Sequence, residues 1–170
     1  MVQAAIFVIF PLCLAFAACS DLLSMTIPNR ISAILLGTFV VIAPLAGLDM
    51  MQIGLHLFAG LVVFAVCFAL FAFNVMGGGD AKLLTASSVW FGWTLSLMSF
   101  IMAVSVLGGV LALFILLLRK EENLLLAFRI PLPRQLFQGP KIPYGLAIGG
   151  GAFLVFPESP LMQLALNHFH

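Results

Sequence analysis

Apolar residues run along this chain in long blocks, and the polar positions fall between the blocks instead of alternating within them. The first block covers about residues 2–20 without a charge. A helix needs about 20 apolar residues, within a range of about 17–25, to cross a hydrocarbon core, so this block is long enough to span. Asp21 follows it, and Ile27-Pro28-Asn29-Arg30 then forms a hinge, because Pro28 disfavours helix at Ile27 and suits the first turn of a new helix. Further blocks cover about 31–48 and 52–75. From 83 to 118 the apolar character is nearly unbroken, too long for one straight span, and Trp90, Gly92, Trp93 and Thr94 interrupt it. Paired tryptophans favour the membrane interface, which places a turn there and predicts a short helix over 82–93 and a longer one over 96–118. Residues 119–141 mix leucines and phenylalanines with Arg129, Arg134 and Gln135, a pattern suited to a segment lying among headgroups. A last block over 142–156 ends at Pro157-Glu158-Ser159-Pro160, and the residues up to His170 read as a surface tail. The pattern predicts an all-α, polytopic membrane protein with six transmembrane helices, forming one membrane-embedded domain over 1–170.

Composition agrees with that pattern. The 170 residues are 64% hydrophobic and 8% charged, with a mean hydropathy of +1.24. A soluble domain carries about a quarter charged residues, so water is not the solvent of most of this chain. The net charge of +1 says nothing about nucleic acid, but no basic run is long enough for a nucleic-acid patch, so no nucleic-acid partner is expected. Cys13, Cys19 and Cys67 lie inside apolar blocks without paired or histidine-flanked spacing and read as small packing residues, not as metal ligands. Phe16-Ala17-Ala18-Cys19 loosely resembles a lipoprotein cleavage box. The absence of Lys or Arg before the first block favours a retained helix over a secretory signal.

Charge placement sets an expected orientation. With six spans, all seven Lys and Arg fall on one face: Arg30, Lys82, Arg119, Lys120, Arg129, Arg134 and Lys141. The positive-inside rule makes that face cytoplasmic and puts both termini outside. The same threading brings Asp21 and Asp80 to the cytoplasmic side and sends Asp49 and His56 to the opposite one.

The candidate chemistry lies in Met76-Gly77-Gly78-Gly79-Asp80-Ala81-Lys82, a polar break between two apolar blocks. A carboxylate tolerated at the edge of a span points to function. Asp80 also fits a helix N-cap, whereas Asp21 at a helix C-terminus opposes the macrodipole and is harder to explain as structure. The glycines permit a bend and close backbone approach. Two carboxylates sharing a water do not both ionise at neutral pH, so one serves as base and the other holds the proton. Such a pair activates water against a peptide carbonyl without a metal or another cofactor. The same two aspartates also suit a small proton-coupled transporter, although that function calls for acids nearer mid-span. A zinc-protease His-Glu-x-x-His is missing, and so is the Ser/Thr spacing of a phosphate-binding loop. Lys82 suits either an ionised Asp80, an anionic substrate group or plain topology signalling. Gly108-Gly109 and Gly149-Gly150-Gly151 read as close helix contacts.

Gly77-Gly78-Gly79-Asp80 with Ala81-Lys82 resembles the GxGD signature of the type IV prepilin peptidases, which are membrane aspartyl proteases. Asp21 followed by Ile27-Pro28-Asn29 is similar to that family's first aspartate motif. Lys141-Ile142-Pro143-Tyr144-Gly145 resembles its basic, proline–aromatic–glycine segment before the last helix. The resemblance implies an endopeptidase of the bacterial inner membrane that removes the basic leader of prepilins or pseudopilins at the cytoplasmic face. Asp21 and Asp80 would be its catalytic residues. It also implies membrane lipid and the pilus assembly or secretion machinery as surroundings. Large family members carry an extra amino-proximal cytoplasmic stretch and also methylate the trimmed pilin. This chain is similar instead to the compact CpaA/TadV group serving Flp-type pili, for which no methyltransferase activity is expected.

Overall fold

The computed structural model describes residues 2–120 and 142–167, and among them every regular element is helical. The helices are α1 (Val2–Ser24), α2 (Asn29–Leu45), α3 (Met50–Ala72), α4 (Gly78–Phe91), α5 (Leu95–Lys120), α6 (Tyr144–Val155) and α7 (Pro160–Asn167). A 3-10 turn at Phe156–Glu158 joins the last two. The chain is thus an all-α polytopic membrane protein. Three helices, α1, α3 and α5, are long and apolar enough to cross a membrane, and α6 with α7, bent by 44°, raises that to four. The six spans expected from the apolar blocks are therefore not all matched by length, since α2 has 17 residues and α4 has 14.

The reason lies in what surrounds α4. It packs against α2, α3, α5, α6 and α7, and its residues are buried almost all round, from Ala81 through Leu84 and Ala86 to Phe91. A helix sheathed by protein needs no lipid-facing surface of full membrane height. The outer helices bury only stripes. On α1 the stripe is Ile6, Phe10, Leu14, Ala17 and Asp21, at the three- and four-residue spacing of one helical face. The other face, with Val8, Leu12 and Phe16, is exposed, as a lipid-facing surface would be. Close packing uses small residues where the sequence places them. A Cβ on Gly151 would meet the Val104 backbone nitrogen at 3.0 Å, and one on Gly108 would meet the Tyr144 ring at 3.0 Å, whereas Gly109 faces open space.

Several expected boundaries shift. Trp90 does not sit at an interface. It is fully buried, stacks near Phe10 at 4.8 Å between ring centroids, and donates its indole N–H to the Leu35 carbonyl at 3.0 Å. Only Trp93 is exposed. The turn itself falls where the tryptophans mark it, with Gly92 in left-handed backbone at φ 65°. Residues 160–167 are not a free tail, because Leu161 and Ala165 of α7 bury against the bundle. Asp49 is spent on structure, forming a capping box with Gln52 at the start of α3. Among the cysteines Cys67 is buried, but Cys19 is exposed and does not pack in the core. The interfacial reading of 119–141 falls, beyond Lys120, outside the described residues, as do Arg129, Arg134 and Lys141.

Candidate active site

One end of the bundle collects the chain segments that the sequence singles out. The last turn of α1, the start of α2, the α3–α4 connection and the start of α6 together line a cavity of about 750 Å³, with Asp21, Asn29, Asn74, Gly77, Gly78, Gly79, Asp80 and Tyr144 in its wall. Asp21 and Asp80, 59 positions apart in sequence, are brought to the same space. A second, smaller cavity of about 240 Å³ lies between Val2, Leu45 and Leu164, at the other end of α1 and α2, and carries no carboxylate.

Asp80 is not the N-cap. That position is Gly77, and Asp80 sits three residues in, within the first turn of α4. Its charge is still favoured there by the unpaired N–H groups and the positive end of the helix. The glycines act through room, not through unusual torsions: Gly77 has ordinary extended angles (φ −69°, ψ 142°), and among the described glycines only Gly47 and Gly92 show positive φ. A Cβ on Gly77 would lie 2.7 Å from Asp80 Oδ2, one on Gly79 would press on Ile27 at 3.3 Å, and one on Gly78 would meet the Phe71 ring at 3.2 Å. The three bare Cα positions therefore let the carboxylate fold back over Gly77 and let the segment after Asp21 pack directly on α4. Gly78 and Gly79 are helical, so α4 begins four residues before the 82 at which the sequence pattern starts it.

Asp21 lies inside α1, one turn before its end, and not beyond the helix as the apolar block suggests. It is 6% exposed. Its Oδ2 accepts the backbone N–H of Gly145 at 2.7 Å, on the first turn of α6. The helix stops because Met25 turns left-handed at φ 52°, while Ser20 and Ser24 hydroxyls donate to the Thr26 and Ser20 carbonyls. The α3 end opposite is closed in the same manner. Asn74 is left-handed, and the N–H groups of Val75 and Asn74 bond to the Leu70 and Phe71 carbonyls.

The motif-supporting residues are placed by these two turns. Pro28 caps α2 in extended backbone (φ −61°, ψ 131°) and Asn29 is the first helical residue. The Asn29 side-chain carbonyl accepts a 3.0 Å bond from Lys82 Nζ, tying the start of α2 to the first turns of α4. Lys82 is thus exposed and engaged with Asn29, outside the cavity wall. Pro143 is buried at the N-cap of α6, and the Tyr144 ring seats on Gly108 of α5 while lining the cavity. The contact sequence reading missed is that of Gly145 to Asp21; the signal available was Asp21's place on the buried stripe of α1.

His56 is far from this end. Its Nδ1–H donates to the Val89 carbonyl at 2.7 Å and its ring stacks on Phe39. Nine residues separate Val89 from Asp80, about 13 Å along a helix. Among the described residues no group of three His, Cys, Asp or Glu is arranged to hold a metal ion.

An all-α membrane bundle with two carboxylates in the wall of one cavity has the features of a membrane aspartyl peptidase. The chain matches the Type IV leader peptidase family over residues 8–113, more than half its length, and it belongs to that family. It is accordingly an aspartic-type endopeptidase of the prepilin leader peptidase class. The matched region includes Asp21 and Gly77–Lys82 and ends before α6. No curated protein and no solved structure matches the chain.

Proposed function

We propose that Asp21 and Asp80 are the catalytic pair, and that the cavity they line receives the cleavage site of a prepilin or pseudopilin, with a Flp-type precursor as the substrate of this compact chain. The observation that carries the reading is the convergence of the two carboxylates, from α1 and α4, on one space. A water held between them loses its proton to the ionised member as its oxygen attacks the scissile carbonyl. The protonated member then supplies the proton to the leaving amine. Like-charge repulsion keeps one proton on the pair near neutral pH. The cavity that Gly77, Gly78 and Gly79 line together with Asp80 gives a substrate strand its space.

The active end faces the cytoplasm and both termini lie outside. Arg30, Lys82, Arg119 and Lys120 support this orientation, because all four fall at the cavity end of the bundle. The α5 residues are placed there by the antiparallel packing of α5 on α6, in which Gly108 meets Tyr144 and Val104 meets Gly151. Six crossings result if α2 and the protein-sheathed α4 each count as one and α6 with α7 as another. The whole chain, 1–170, then works as one peptidase domain among the lipid and the pilus assembly machinery. The basic leader stays on the cytoplasmic side, and the apolar segment behind it enters the bilayer. No methyl transfer is part of the reaction.

The test is co-expression with a candidate precursor, read as loss of the leader on a gel. Asp21→Asn and Asp80→Asn each abolish processing, by about 10³-fold or more as expected for an acid–base partner, while both variants insert at wild-type levels. Normal trimming by either variant sinks the pair.

A further inference from the structure

Gly145 lies beyond the region that matches the family. Yet it is built around Asp21. Its N–H points at Asp21 Oδ2 at 2.7 Å, and a Cβ at Gly145 would stand 2.9 Å from Asp21 Cβ, 2.9 Å from Oδ2 and 3.1 Å from Cγ. Real Cβ contacts are not that short, and Asp21, buried on the stripe of α1, has little freedom to step aside. The start of α6 is itself fixed, by buried Pro143 at its cap and by the Tyr144 ring seated on Gly108 of α5. The donor therefore sits on a rigid mount, at the positive end of a 12-residue helix.

We propose that Gly145 is a positioning residue of the peptidase: its N–H and its missing side chain together hold the Asp21 carboxylate in the orientation that faces the cavity. The proposal rests on the reading of Asp21 as a catalytic carboxylate. It gives the Pro143-Tyr144-Gly145 segment a definite task. The proline and tyrosine lock the start of α6 against the bundle, and the glycine presents the N–H to the acid. A backbone N–H donated to a carboxylate stabilises its charged form.

The substitution Gly145→Ala tests this, in purified full-length protein assayed on a synthetic precursor with a basic leader and an apolar segment. The expected result is a fall in kcat of about 10²-fold with KM nearly unchanged, because a displacement of about 1 Å at a reacting group costs that much. Gly150→Ala on the same helix, where a Cβ meets only a Leu107 methyl at 3.3 Å, keeps kcat. A second readout does not depend on activity. The chain has three aspartates, Asp21, Asp49 and Asp80, so 13C labelling of aspartate carboxyl carbons gives three signals, assigned with Asp→Asn variants. In Gly145→Ala the Asp21 signal titrates at higher pH than in wild type, and the acid limb of the rate profile moves up with it. Among the described residues the other ionisable groups at this end, Arg30 of α2, Asp80 and Lys82 of α4, Arg119 and Lys120 of α5 and the Tyr144 phenol of α6, are the same in both proteins. If Gly145→Ala does not accumulate, an ester in place of the 144–145 amide removes the N–H without adding an atom at Cα and gives the same expected shift. An unmoved Asp21 titration, or a wild-type kcat in Gly145→Ala, overturns the proposal. Normal cleavage by Asp21→Asn instead overturns the catalytic pair itself, so the two failures are told apart.

Discussion

The two ends of α4 hold ionisable groups in opposite circumstances. At its start, Asp80 and its neighbour Asp21 border a cavity of about 750 Å³. At its end, His56 is 3% exposed, bonded to the Val89 carbonyl, stacked on Phe39, and pressed so closely on Gly92 that a Cβ there would lie 2.6 Å from its Nε2. Burial alone does not distinguish them, since Asp21 is 6% exposed. What differs is access: the histidine is surrounded by packed groups, whereas the carboxylates have space for water and a peptide beside them. Asp21 also spends one oxygen on the fold's own backbone, at the Gly145 N–H, yet it borders the cavity as well, which His56 does not.

This contrast can be broken by substitutions at the closed end. The largest expected effect there is that of Trp90→Ala. It removes a fully buried ring from contact with Phe10 and Phe39 and takes the indole N–H away from the Leu35 carbonyl. In lipid the penalty comes from lost packing and an unfilled void, not from exposure to water. It should cost about 3–5 kcal/mol, read as earlier unfolding in detergent titration, while the protein that remains folded still trims its precursor. Gly92→Ala comes next. Its backbone at φ 65° and ψ −174° is a glycine conformation, so the new side chain costs about 1–3 kcal/mol before its collision with the His56 ring. Stability should fall and KM should not change. A loss of cleavage out of proportion to unfolding in either variant would mean that the closed end is part of the active machinery.

The smallest change sharpens the contrast from the open end. Lys82→Met deletes the bond to Asn29, and as an exposed interaction it is worth no more than about 1 kcal/mol of stability. Cleavage should fall by more than stability does, because the bond ties α2, which follows the Asp21 segment, to the helix carrying Asp80. Equal small losses in both would reduce Lys82 to a surface residue.

The sequence made the helical, membrane-bound character and the connection points legible for a simple reason: solvent preference is a local property of each block. Gly92 and Pro28 marked turns because their torsional limits act within one or two residues. Counting spans puts Asp21 and the Gly77–Asp80 turn on one side, and both do line one cavity. The count worked less well for the spans themselves. Nothing local distinguishes α4, 14 residues covered by protein on nearly all sides, from a lipid-facing helix, and Trp90 reads as an interface anchor until its neighbours are known. Asp80 likewise looks like an N-cap until the helix is seen to begin at Gly78.

What the residues by themselves determined is therefore the material of the site: two acids, a run of glycines, and a proline–tyrosine–glycine start to a late helix. Only tertiary structure decided that the glycines serve as clearance for Ile27, Phe71 and the Asp80 carboxylate, and that Gly145, 124 residues away, donates to Asp21. The physical reason is range. Torsional preference and hydropathy act along the chain, but the room around a missing side chain belongs to whatever another helix brings against it.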